Sequence, residues 1–185
     1  MAESTPPATS AIQQYLDELL GEVRKRLEAS PSERSKMKYR QDPMAGFERQ
    51  RPLEVRTVER ARPVGADVEV TVAWLLLHPA AVLDPQHRLV KALAADFRSP
   101  AGAKTVANID KGHLTFKTTF ASTVTSDDIH AWVDVTKSAI EDLASTANAA
   151  FEAHNRRVDE LKTAGQTAIS RANELNQQFK STAPE

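Results

Sequence analysis

Gly102-Ala103-Lys104-Thr105 is the nearest approach in this chain to a phosphate-binding loop. Such a loop needs Gly directly before Lys-Ser/Thr, an earlier Gly at fixed spacing, and a following helix whose N-terminus faces the phosphate. Here Ala103 precedes the lysine and a strand is expected afterwards, so the four residues read as a helix-to-strand connection. The histidines, His78, His87, His113, His130 and His154, are scattered, and no two have the spacing of a helical metal pair. Asp127, Asp128 and His130 do cluster. They fall in the first turn of an expected helix, where carboxylates meet the positive end of the helix dipole, and a capping role is the plainer reading. Cysteine is absent, which removes disulfides, thiolate nucleophiles and thiolate-ligated zinc or iron–sulfur sites. There is no G-x-S-x-G elbow and no Gly-rich dinucleotide fingerprint, and six glycines leave little backbone for cradling phosphates. The residues therefore argue for no catalytic site, no metal and no cofactor, although a triad dispersed along the chain stays open.

Charge offers one further chemistry. The net charge of −1 gives no whole-protein field toward nucleic acid or an anionic membrane, so any such binding needs a local patch. One lies between Arg34 and Arg62, where Arg34, Lys36, Lys38, Arg40, Arg49, Arg51, Arg56, Arg60 and Arg62 outnumber the acids, with Tyr39 and Phe47 among them. Basic residues interleaved with aromatics can hold phosphates and stack bases. Glu33, Asp42, Glu48, Glu54 and Glu59 cancel over half of that charge, and no recognition motif accompanies it. A solvated linker laced with local ion pairs is the favoured reading, and nucleic-acid binding by this arm is the alternative.

The elements that would position these residues follow from periodicity. Met1 to Ser10 is polar and Pro/Thr/Ser-rich, reads as disordered, and carries no signal-peptide pattern. The longest apolar run, around Val72 to Leu77, is far short of a membrane span, so a cytoplasmic protein that avoids membranes is expected. Ser10 and Gln13 form a capping box before a helical stripe of Ile12, Leu16, Leu19, Leu20, Val23 and Leu27, which predicts a helix over 11–30. Residues 31–52 have no sustained apolar period and read as the basic arm.

A core domain is expected over 53–150. Leu53 to Val58 and Val68 to Trp74 alternate around turn chemistry at Pro63 to Asp67, a first hairpin. Asp84-Pro85 starts a helix with the stripe Leu89, Val90, Leu93, Ala94 and Phe97, stopping near Ser99-Pro100. Lys104 to Ile109 and Leu114 to Phe120 form a second hairpin about Asp110-Lys111-Gly112, with Gly112 supplying a positive φ. Thr125 and Asp128 cap a helix that runs almost to the C-terminus. The order α-ββ-α-ββ-α predicts an α+β fold, a four-stranded antiparallel sheet with packed helices and a long C-terminal amphipathic helix. Val70, Val72, Trp74, Leu89, Leu93, Phe97, Leu114, Phe116, Ile129 and Trp132 should be buried together. The passage from His113 through Ala150, an alternating strand and then a capped helix, resembles the last strand and helix of small secretion-chaperone-like α/β proteins, a likeness of fold to which no function attaches.

The strongest pattern is distal, over 151–185. Phe151, His154, Val158, Leu161, Gly165, Ala168, Ala172, Leu175 and Phe179 are separated by steps of three and four, a heptad seam. An unbroken helix from Ser126 would be on the order of 80 Å long at ~1.5 Å per residue, longer than strands of this length can cover. Its seam must be buried by the N-terminal helix, by another copy, by a different protein, or by the helix turning back near Gly165. The function expected is non-catalytic: an interaction or scaffold protein that assembles with itself or a protein partner through this helix. If the arm instead binds nucleic acid, affinity for DNA or RNA should fall steeply with salt, and Ala at Arg34, Lys36, Lys38 and Arg40 should flatten the dependence. A mobility shift at low salt checks this, and its absence removes the reading.

Overall fold

The computed structural model describes residues 10–29, 49–75, 77–78, 81–82, 88–99, 105–110 and 113–181. The elements run α1 (Ala11–Glu28), β1 (Thr57–Val64), β2 (Asp67–Leu75), β3 (Leu77–His78), β4 (Ala81–Val82), α2 (Arg88–Asp96), β5 (Val106–Asp110), β6 (His113–Phe120) and α3 (Ser126–Ser181). The expected α+β order is present, with the short β3–β4 pair as an addition that its two-residue strands made invisible to periodicity. By contact density the chain forms two units, a core unit of Met1–Tyr15 with Arg51–Phe151 and a helix-pair unit of Leu16–Gln50 with Glu152–Glu185.

The core unit is built on a four-stranded antiparallel sheet of order β1-β2-β6-β5. The two hairpins join through β2 and β6, which pair along their whole length from Val68↔Phe120 to Leu75↔His113. Because side chains alternate across a strand, the register puts Val70, Val72 and Trp74 of β2 beside Leu114 and Phe116 of β6 on one face, and all five are buried. Helices cover that face. Phe97, just past α2, packs against Phe116 with the rings tilted at 43° and 4.2 Å between centroids, and Trp132 of α3 meets Phe120 edge-on at 5.7 Å. The Trp132 indole N–H donates to Thr105 Oγ1 at 3.0 Å, which satisfies the polar tip of a buried ring. Ile140, Leu143, Ala144 and Ala147 continue the buried stripe of α3. Ile129 is only half-buried, because it sits in the first turn of α3 beside the edge strand rather than over the sheet centre.

The first strand differs from expectation. It begins at Thr57 and extends through Pro63, and the chain reverses at Gly65-Ala66, where Gly65 has φ 65°. Tight two-residue loops require such a positive φ. The charged run Glu59 to Arg62 is tolerated in a strand because β1 is an edge, where polar side chains and a proline guard against further pairing. Leu53 lies outside the sheet because α3 holds its backbone: its N–H donates to Asn148 Oδ1 at 2.7 Å and its carbonyl accepts from Asn148 Nδ2 at 3.1 Å. The Trp74 indole donates to the Glu54 carbonyl next to it. The second hairpin has β5 at Val106–Asp110, two residues later than expected at its start, and Gly112 lies outside the described residues. Asp84-Pro85 also lies outside them, and α2 ends at Asp96 rather than Ser99.

Both expected helix caps form. Gln13 N–H donates to Ser10 Oγ at 3.1 Å. Asp128 N–H donates to Thr125 Oγ1 at 3.2 Å while that hydroxyl donates to Asp128 Oδ2 at 2.7 Å. A second cap on α1 comes from far along the chain: Asp96, at the end of α2, accepts from the N–H groups of Ala11 and Ile12 at 2.7 and 2.8 Å. A carboxylate there satisfies two orphan donors and meets the positive end of the helix dipole.

Phe116→Ala should cost about 3–5 kcal/mol as a large-to-small change at a fully buried position. Thr136→Val should go the other way, because the buried Thr136 hydroxyl has no hydrogen-bond partner among the described residues and losing it should stabilise by about 1–3 kcal/mol. Denaturant melts of both variants check the assignment, and a Thr136→Val loss of stability would contradict it.

Candidate helix interface

In the helix-pair unit the second half of α1 faces the middle of α3. Leu20 and Val23 pack with Val158, and Leu27 and Leu161 join the edge of this cluster. Beyond Leu161, a Cβ at Gly165 would stand 3.3 Å from Leu27 Cδ2, a tight contact that a shift of a few tenths of an ångström by that side chain would relieve. The helix does not turn back there: α3 is continuous through Gly165 to Ser181.

The seam residues fall into two groups. Phe151, His154 and Val158 are buried, and Leu161 and Gly165 are half-buried. Ala168 and Ala172 are exposed, Leu175 is 42% exposed and Phe179 66% exposed. Ile169, not part of the strict heptad seam, is 52% exposed and widens the apolar face. A helix placing isoleucine, leucine and two alanines in water has an apolar surface that the described residues of its own unit leave open. Beside it, an open groove is lined by Ala164, Thr167 and Ala168, with Asp159 and Glu160 toward one end and Arg171 toward the other.

His154 sits on the covered part of the seam, 7% exposed. Burial pushes its pKa below the ordinary histidine range, with Arg157 acting in the same direction and Asp17 of α1 opposing it. Neutral imidazole is the form the helix pair accommodates. His113 lies on the sheet and His130 is exposed in the first turn of α3, while the side chains of His78 and His87 fall outside the described residues. Among the described residues no group of three or more His, Asp or Glu could hold a metal ion.

The arm divides as well. Arg34, Lys36, Lys38 and Arg40 lie outside the described residues. Arg49 pairs with Asp159 of α3 at 3.1 Å, and Arg51 is exposed. Next to Arg49, Gln50 N–H donates to Asn155 Oδ1 at 2.9 Å and its carbonyl accepts from Asn155 Nδ2 at 2.8 Å. Asn155 thus does for Gln50 what Asn148 does for Leu53. Neither asparagine stands out as functional in the sequence. Their heptad spacing in a helix interior, where Asn is a poor helix former, is the signal that could have found them.

Comparison with known proteins returned no matching family model, no matching curated protein and no matching solved structure. Among the described residues no helix is long and apolar enough to cross a membrane.

The lowered pKa of His154 fixes the sign of a pH effect. The unfolded chain binds a proton near pH 6.5 and the folded one only at lower pH, so stability is full above 6.5 and is lost as pH falls below it. Thermal melts from pH 7.5 to 5 should show a falling Tm for the wild type and a shallower fall for His154→Leu. Parallel curves would show that His154 does not face the apolar contact.

Proposed function

We propose that this protein is a non-catalytic interaction or scaffold protein that assembles, with a second copy or another protein, through the distal part of α3. The observation that carries this reading is the change along one seam: covered by Leu20, Val23 and Leu27 as far as Gly165, exposed at Ala168, Ala172 and Leu175 beyond it. Small residues allow close helix approach, while Ile169 and Leu175 supply the area that makes burial worthwhile. The groove, with Glu160 toward one end and Arg171 toward the other, adds polar groups that set a partner's register. A cytoplasmic location belongs to the same proposal.

The alternative, nucleic-acid binding through the Arg34–Arg62 arm, has less support. Of its described cations, Arg49, Arg56 and Arg62 are each committed to a carboxylate, Asp159, Glu54 and Glu69 respectively.

Light scattering across a concentration series tests the favoured reading. The full chain should associate, and Ile169→Asp with Leu175→Asp should be monomeric with the melting temperature of the wild type at its most dilute, since both sites are exposed in the single chain. A double variant that associates like wild type would overturn the assignment of the seam. A wild type monomeric throughout would remove self-assembly and leave only a heterologous helix as partner.

A further inference from the structure

The seam beyond Gly165 has an order of sizes as well as a period. Its first two residues, Ala168 and Ala172, are small, and its last two, Leu175 and Phe179, are large. Every residue from Gln166 to Phe179 is exposed, and the helix runs on to Ser181. The stretch past Gly165 therefore has its midpoint between Asn173 and Glu174. Ala172 and Leu175 stand at equal distances from that midpoint, and so do Ala168 and Phe179. Reversing the helix about it exchanges small residues for large ones.

Two copies of this stretch laid antiparallel put Ala172 level with Leu175 of the other copy and Ala168 level with its Phe179. Every layer of the seam then holds one small and one large side chain, the arrangement that fills a helix–helix contact without voids or crowding. Parallel pairing in register would set alanine on alanine and phenylalanine on phenylalanine, leaving some layers empty and others overfilled. It would also set Arg171 level with Arg171 and align two helix dipoles, whereas the antiparallel arrangement sets Arg171 level with Asn176 and opposes the dipoles. The same register continues the cover that α1 gives: Leu27 comes to Gly165, and the end of the other copy's helix comes level with Gln166.

We propose that two copies of this chain pair through Gln166–Ser181 of α3, antiparallel about a two-fold axis between Asn173 and Glu174, with Ala168 against Phe179 and Ala172 against Leu175. The inference rests on the reading of the distal seam as the assembly surface, and adds which partner the seam takes and in which direction. A two-fold contact uses the same patch on both copies and is closed, so assembly stops at the dimer.

The chain has no cysteine, so a single introduced thiol reports alone. Ala168→Cys and Phe179→Cys, each in the full chain, are oxidised separately and as a mixture, at a concentration where light scattering shows the wild type to be dimeric. In the antiparallel dimer of either variant the two thiols lie eleven residues apart along the axis, about 16 Å at ~1.5 Å per residue, too far for a disulfide, whose Cα atoms lie within about 7 Å. Neither variant alone should crosslink, and the mixture should give a disulfide-linked heterodimer that Leu175→Asp in both chains eliminates; circular dichroism confirms that each variant is folded. Crosslinking of either variant with itself would overturn the antiparallel register and leave the seam as the assembly surface. A wild type that dimerises while no combination crosslinks, or a heterodimer that survives Leu175→Asp, would overturn the register and the seam together. A wild type monomeric throughout would overturn self-pairing and leave the seam to a different protein.

Discussion

What covers the apolar stripe of α3 decides the rest of this structure. The helix is 56 residues long, and an amphipathic helix in water must bury its stripe against something. In the core unit the stripe of Trp132, Ile140, Leu143 and Ala147 is buried with the face of the sheet that carries Val72, Trp74 and Phe116. In the helix-pair unit Val158 is buried by Leu20 and Val23. Past Gly165 the cover that the described residues give stops while the helix continues, and the same residue pattern that made a core upstream makes a surface downstream.

Polar contacts far apart in sequence hold the covering pieces in place. Asp96 caps α1 from the end of α2, and Asn148 and Asn155 grip the backbone of Leu53 and Gln50. Each uses a side chain to satisfy main-chain groups that would otherwise need water. Backbone contacts of this kind are indifferent to the side chains of the segment they hold, so residues 49–53 can carry a varied charge pattern and still be fixed. Arg49 shows the consequence: a cation that reads as a phosphate contact is occupied by Asp159.

The fold was largely legible from the chain because its strongest signals are local. Alternation in β2 and β6 and the capping pairs Ser10–Gln13 and Thr125–Asp128 are readable residue by residue, and the structure has each of them. The start of β1 was not legible, since Leu53 and Val55 alternate as a strand would, and only Asn148, 95 residues away, decides that Leu53 belongs to α3 instead. Ile129 failed for a related reason: its spacing fits the core stripe, but its place in the first turn of α3 leaves it beside the edge strand. The heptad seam was visible as a pattern, yet periodicity treats Val158 and Leu175 alike. Where α1 ends is what separates them, and that is a property of packing.

Assembly through the distal part of α3 requires the seam beyond Gly165 to be uncovered within a single chain. Hydrogen–deuterium exchange of the dilute protein measures this directly, because an isolated helix end opens freely while one held by tertiary packing does not. The predicted result is fast exchange over residues 166–177 and slow exchange over 151–162, with protection of the first segment rising as concentration is raised. Equally slow exchange of both segments in the most dilute sample would contradict it, since the seam would then be buried by the chain itself.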